Sequence, residues 1–142
     1  MQTVNQLLQS KGFDVVTIDP NASVFEALKL MAEKRIGSLV VLENGDVAGL
    51  FSERDYARNI ILKGRTSKET RVEEIMTRHV IVTKPQQSVE ECMAIMTDKR
   101  VRHLPVMQNE KLVGIISIGD LVKAIIEEQQ FVIEQLVSYI NS

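Results

Sequence analysis

Apolar and polar positions run through this chain in two rhythms, and the same succession of rhythms occurs twice. Residues 15–18 are a short apolar run that stops near Pro20, whose ring fixes φ and removes a backbone donor. From Ser23 the period becomes helical, with Val24, Leu28 and Met31 on one face behind Ser23-Val-Phe-Glu26, which has the Ser and Glu of a capping box. Two β-branched-rich runs follow, residues 38–42 and 47–51, joined by Glu43-Asn-Gly-Asp46, whose Asn-Gly signals a hairpin. A helix should open at Ser52. The order then returns: residues 80–83, Pro85, Ser88-Val-Glu-Glu91 with Val89, Met93 and Met96, the runs 104–107 and 112–116 around Gln108-Asn-Glu-Lys111, and a helix from Ser117.

An offset of 65 residues aligns positions 15–55 with 80–120 without a gap, and 14 of the 41 pairs are identical. Most of the rest exchange one aliphatic residue for another, so the chain contains a true internal duplication. Each unit reads strand, helix, strand, strand, helix, about 45 residues, too few to stabilise a core alone. The second copy supplies the missing partner.

Outside the repeats, residues 4–11 predict a short helix. The polar stretch Lys63-Gly-Arg-Thr-Ser-Lys-Glu-Thr-Arg71 predicts a loop, and residues 70–76 one more short helix capped at Thr70. Residues 118–140 predict a long helix with apolar positions at Leu121, Val122, Ile125, Ile126, Val132, Ile133, Leu136 and Ile140. That stripe outruns one small repeat, so it is either a lid on the chain's own core or a dimer contact, and the dimer is favoured. The resulting division is an N-terminal helix (1–14), a first unit (15–62), a linker (63–76), a second unit (77–128) and a C-terminal extension (129–142).

Composition narrows the chemistry. Trp is absent and aromatics make up only 4%, so the core must be aliphatic. A net charge of −2 gives no general attraction to nucleic acid or anionic membrane, so phosphate binding would need a few placed cations. Cys92 is the only cysteine, which excludes an internal disulfide and a cysteine metal cluster. With two separated histidines, no metal site is expected. The start lacks a signal-peptide pattern and no run reaches the roughly 18 apolar residues of a membrane span; a soluble, cytoplasmic protein is expected. Neither a nucleophile elbow nor a Gly-rich dinucleotide fingerprint is present, and no enzymatic activity is expected.

The third strand of each unit ends in Gly49-Leu-Phe-Ser52-Glu-Arg-Asp55 or Gly114-Ile-Ile-Ser117-Ile-Gly-Asp120, a shared Gly-x-x-Ser-x-x-Asp. With the strand–Pro–capped helix opening and His103-Leu-Pro-Val106, this pattern resembles a pair of CBS domains, a Bateman module, over roughly residues 15–123. The resemblance implies an α/β (α+β) fold: tandem CBS domains, two β-α-β-β-α repeats packed sheet to sheet with pseudo-two-fold symmetry. It also implies two clefts for adenosine compounds such as AMP, ADP, ATP, NAD or S-adenosylmethionine.

Physical reasoning gives the motif a role. A strand running into a helix at Ser52 or Ser117 offers free N–H groups and a positive dipole end to phosphate. Asp55 and Asp120 offer acceptor oxygens to a ribose, and Gly49 and Gly114 leave room for close approach. The competing role for Ser-x-x-Asp is a helix cap. By the resemblance, Arg102 and His103 are phosphate ligands of a second site built around Ser117 and Asp120. The first site has Ser38 at the matching position and Arg54 within its motif. Lys34, Lys99, Arg35 and Arg100 read as solvated helix ends, and His79 as the opening of a strand. Val16, Thr17, Ile18, Val82, Thr83, Leu104 and Pro105 would frame the adenine, with Leu39 and Val101 beside them. The expected protein is a non-enzymatic regulatory module that binds an adenosine nucleotide (AMP, ATP or NAD), forms a homodimer and transmits its state to a regulated protein partner. The alternative is a structural dimerisation or docking module with vestigial clefts.

Overall fold

The computed structural model describes residues 2–141; Met1 and Ser142, the outermost positions of the two expected extensions, lie outside the described residues. The first unit contains β1 (Thr17–Ile18), α2 (Val24–Lys34), β2 (Ser38–Glu43), β3 (Asp46–Ser52) and α3 (Glu53–Tyr56). β1 lies parallel to β2, and β2 antiparallel to β3. The second unit contains α5 (Val89–Lys99), β4 (His103–Gln108), β5 (Lys111–Ser117) and α6 (Ile118–Ile140), with β4 antiparallel to β5. Both hairpins turn on two residues at positive φ, Asn44 and Gly45 in one and Asn109 and Glu110 in the other, the requirement of a tight turn that follows strand twist.

The first strand expected at residues 80–83 shrinks to one parallel bridge, Thr83 to Val106. In the first unit the Val40 N–H donates to the Val16 carbonyl at 3.4 Å. The residue matching Val40 is Pro105, which has no N–H to give. What survives is the pair that does not need it: Thr83 N–H donates to the Pro105 carbonyl at 3.0 Å and Met107 N–H to the Thr83 carbonyl at 2.9 Å.

The segment that precedes each unit closes the core of the other. α1 (Val4–Lys11) buries Val4, Leu7 and Leu8 among Val89, Cys92, Leu104, Ile116 and Leu121 of the second unit. α4 (Val72–Ile75) buries Val72 and Ile75, with Met76, among Val24, Met31, Leu39 and Phe51 of the first. Paired backbone bonds fix both crossings: Val4 to Gln87 and Val89 to Gln2, Val24 to Thr70 and Val72 to Ala22, all 2.8–2.9 Å. Gly49 and Gly114 serve this packing. A Cβ at Gly49 would sit 2.6 Å from Met76 Sδ and 2.8 Å from the Thr77 carbonyl, and one at Gly114 would sit 2.8 Å from Leu8 Cδ1. The room expected there for a ligand belongs to the crossing helices.

Three local expectations change. The cap of α4 is Arg71, whose N–H donates to Glu74 Oε2 at 2.7 Å, while the Thr70 hydroxyl donates to the Thr66 carbonyl. α3 is a single turn that widens into a π-helical turn, Ala57–Ile61. α6 is continuous for 23 residues but buries only Leu121 and Ala124. Beyond them Ile126, Phe131, Val132, Ile133 and Leu136 are each half or more exposed, so the helix covers its own core only through its first two turns and the rest is not a lid.

Candidate functional site

Two clefts lie on the seam between the units, and each takes its motif from one unit and its facing wall from the other. Cleft one, about 310 Å³, sets Ser52 and Asp55 of the first unit against Val80, Ile81, Val101, Arg102 and His103 of the second. Cleft two, about 320 Å³, sets Ser117 and Asp120 of the second unit against Val16, Ile36, Gly37 and Ser38 of the first. Both lie at the lower end of the roughly 300–1,000 Å³ of small-molecule sites. The assignment of Arg102 to a site with Ser117 and Asp120 is therefore corrected: Arg102 lines cleft one. His103 lines both clefts, its ring 3.8 Å from where a Cβ on Gly37 would stand.

The caps consume most of the donors expected to be free. At the start of α3, Ser52 N–H and Ser52 Oγ donate to Asp55 Oδ2, both at 3.0 Å, and Asp55 N–H donates back to Ser52 Oγ at 3.3 Å. Glu53 N–H donates to the Gly37 carbonyl at 3.1 Å. α6 begins alike: Ser117 N–H donates to Asp120 Oδ2 at 2.8 Å, Asp120 N–H to Ser117 Oγ at 3.1 Å, and Ile118 N–H to the Arg102 carbonyl at 2.9 Å. The capping role of the motif is thus fully expressed, and anion attraction in cleft one falls to side chains.

Those side chains are abundant. Arg54, Arg58, Arg100 and Arg102 line cleft one with His79, against two carboxylates, Glu53 and Asp55. Arg54 also bridges the units, one guanidinium N–H donating to the Arg100 carbonyl at 3.0 Å. Arg100 and its repeat partner Arg35, expected as solvated helix ends, end α5 and α2 in the left-handed conformation at φ 57 and φ 55. Glycine normally holds such positions; here an arginine does, and it borders cleft one (Arg100) or cleft two (Arg35). Their identity between the repeats was the signal available for them. His79 likewise faces cleft one instead of merely opening a strand.

Of the proposed adenine frame Val16 reaches a cleft, and the rest lies off the cleft walls. Thr17 and Ile18 pair with Val40 and Val41 and line neither cleft, whereas Val16, nearer the strand's open end, does. Thr83 is buried and hydrogen-bonded to Gln87 and near Cys92 Sγ at 3.2 Å. Leu104 is core, Pro105 is buried in β4, and Val82 is exposed on neither cleft wall. Val80 and Ile81, with Leu50 and Val101, are the apolar residues that reach cleft one.

The electrostatics of His103 and Asp120 follow from the seam. Burial pushes the His103 imidazole below its usual range, helped by the positive charges of Lys11, Arg102 and Arg54 and opposed by Asp120. Burial pushes the Asp120 carboxyl up, but hydrogen bonds from Lys11 and Ser117 outweigh it and hold the group below the usual carboxylate range. Among the described residues no cluster of His, Cys, Asp or Glu has the arrangement of a metal site, and no helix is long and apolar enough to cross a membrane.

A duplicated α/β unit, crossed by its flanking helices and closed by Gly-x-x-Ser-x-x-Asp around two seam clefts, defines a class, and the comparisons identify it. The CBS domain profile matches residues 8–62 and 72–127; the chain belongs to the CBS domain family. It is 53% identical to a CBS-domain protein of Burkholderia ambifaria whose solved structure superposes with a TM-score of 0.87, covering 90% of this chain and 96% of that one. It is 37% identical to the mitochondrial CBS domain-containing protein CBSX3 of Arabidopsis thaliana, covering 98% of this chain and 72% of that protein. The fold also matches, at 23% identity and a TM-score of 0.80, the CBS domain pair of protein MJ0100 in complex with 5′-methylthioadenosine and S-adenosyl-L-methionine, over 90% of this chain and 98% of that one.

Proposed function

We propose that this chain is a non-enzymatic regulatory module that binds a phosphate-bearing adenosine nucleotide, of the AMP, ATP or NAD type, in cleft one. The observation that carries the reading is the make-up of that cleft: a carboxylate motif from one unit faces apolar residues from the other, under four arginines. The carboxylate of Asp55 suits the paired hydroxyls of a ribose. The arginines suit phosphate, which argues against S-adenosylmethionine as the preferred ligand here, since its sulfonium is cationic. Ligand seated on the seam touches both units, so binding favours one relative packing of them and can bias a partner. Thermal unfolding with AMP, ATP, NAD, NADH and S-adenosylmethionine tests this. At a hundredfold excess over Kd a ligand stabilises by about 2.7 kcal/mol, which for a chain of this size raises Tm by about 5–10 °C. No shift with any of the five at millimolar concentration would end the reading.

A specific observation supports a second property, assembly. The exposed apolar face of α6 fits a homodimer contact through this helix, and a docking module with silent clefts would use the same face. Removal of residues 131–142 should convert a dimer to a monomer in sedimentation; an unchanged dimer would exclude α6 as the contact.

A further inference from the structure

Cleft two carries its own cation, delivered by the N-terminal helix. Lys11, the last residue of α1, places its ammonium 2.6 Å from Asp120 Oδ2 and 2.6 Å from the Ile115 carbonyl. Cleft one solves the same two positions differently. There Leu50, the counterpart of Ile115, is paired with Thr77, whose N–H donates to the Leu50 carbonyl at 2.9 Å. The Thr77 hydroxyl donates to Asp55 Oδ1 at 3.1 Å. A neutral hydroxyl and a backbone amide in cleft one are thus replaced by one ammonium in cleft two. Both the threonine hydroxyl and the ammonium give charge-assisted bonds to a carboxylate, but the ammonium also brings a net positive charge, an ion pair that a ribose hydroxyl must displace.

We propose that Lys11 is an intramolecular occupant of cleft two, so that a ribose-bearing ligand enters there only when the end of α1 releases Asp120, while cleft one stands open. This deepens, and rests on, the reading of the clefts as nucleotide sites. Leu8, one turn before Lys11, is anchored in the second unit's core, so α1 itself stays in place and release of the lysine needs only its own side chain to swing away. Lys11→Met keeps the methylenes and removes the charge.

Calorimetric titration with AMP gives the decisive stoichiometry. Wild type should take one nucleotide, lost in Asp55→Asn. Lys11→Met should take two, the second lost in Asp120→Asn, with cleft-one affinity unchanged. Two sites in wild type, or a single site in Lys11→Met, would overturn the gate while leaving the nucleotide reading intact. Carbon-13 NMR of the Asp120 carboxyl provides the readout that does not depend on ligand: its titration midpoint should rise in Lys11→Met and in Lys11→Gln, and an unmoved midpoint would show that the ion pair is not formed. Binding by none of the proteins would remove the nucleotide reading and the gate with it.

Discussion

The two clefts share a motif yet differ in almost everything that surrounds it. In cleft one Asp55 meets a threonine hydroxyl, and four arginines outnumber Glu53 and Asp55. In cleft two Asp120 meets a lysine ammonium, and Lys11 and Arg35 are balanced by Asp14 and Asp120. Their volumes are nearly equal, so shape does not distinguish them. Charge does. The difference originates partly in the crossing segments, which bring Thr77 to one cleft and Lys11 to the other, and partly within the repeats, where Arg54 stands against Gly119 and Arg102 against Gly37. Duplication set the frame of each site, and substitution at matching positions set its chemistry.

The largest effect expected of a single substitution separates the two crossings. Gly49→Ala drives a Cβ against Met76 and, at 2.8 Å, against the Thr77 backbone carbonyl, which cannot swing away. Overpacking of this kind costs about 1–3 kcal/mol. In Gly114→Ala the Cβ meets only the branched end of the Leu8 side chain, which can turn, and the stiffer unfolded chain offsets part of the cost by about 0.4–1 kcal/mol. Urea unfolding should therefore rank Gly49→Ala well below Gly114→Ala in stability. Equal losses would show that the two crossings are packed alike.

A smaller effect reads the wall that the clefts share. Burial, with the charges of Lys11, Arg102 and Arg54, keeps His103 neutral to lower pH than a free imidazole, against the pull of Asp120. The unfolded chain takes up this proton near pH 6.5, and the folded chain only below that. Stability is thus complete above about pH 6.5 and falls as the pH drops from there toward the lower folded value. His103→Gln should flatten that part of the Tm-against-pH curve, and an unchanged slope would assign it to other groups.

The sequence made much of the frame legible because its signals are local. Pro20 and Pro85, the caps at Ser23 and Ser88, and the Asn-containing turns each act within a few residues, and every helix and hairpin they predict forms. Pro105 shows how one residue erased a predicted strand, by removing a donor whose partner lies 24 residues earlier. The pairing of Arg102 with Asp55 was not legible. It depends on two units meeting across the seam, and a repeat alignment draws attention to residues within a unit. Lys11 was hidden for the same reason, since its contacts lie 104 and 109 residues away. Arg35 and Arg100 are the exposed helix ends that were expected; that each also borders a cleft was not legible, because a basic residue at a helix end has an ordinary explanation and only the left-handed backbone there marks them as unusual.

The central claim is that a nucleotide site is shared between the units, with Asp55 and Arg102 on its opposite walls. AMP affinity measured by calorimetry for Arg102→Ala, Asp55→Asn and Asp120→Asn tests it most directly. Loss of a charge-assisted contact is worth about 1.5–3 kcal/mol, or about ten- to hundredfold in Kd. The account predicts that Arg102→Ala and Asp55→Asn each weaken the same site by that amount while Asp120→Asn leaves it unchanged. A site weakened by Arg102→Ala and Asp120→Asn but indifferent to Asp55→Asn would contradict it.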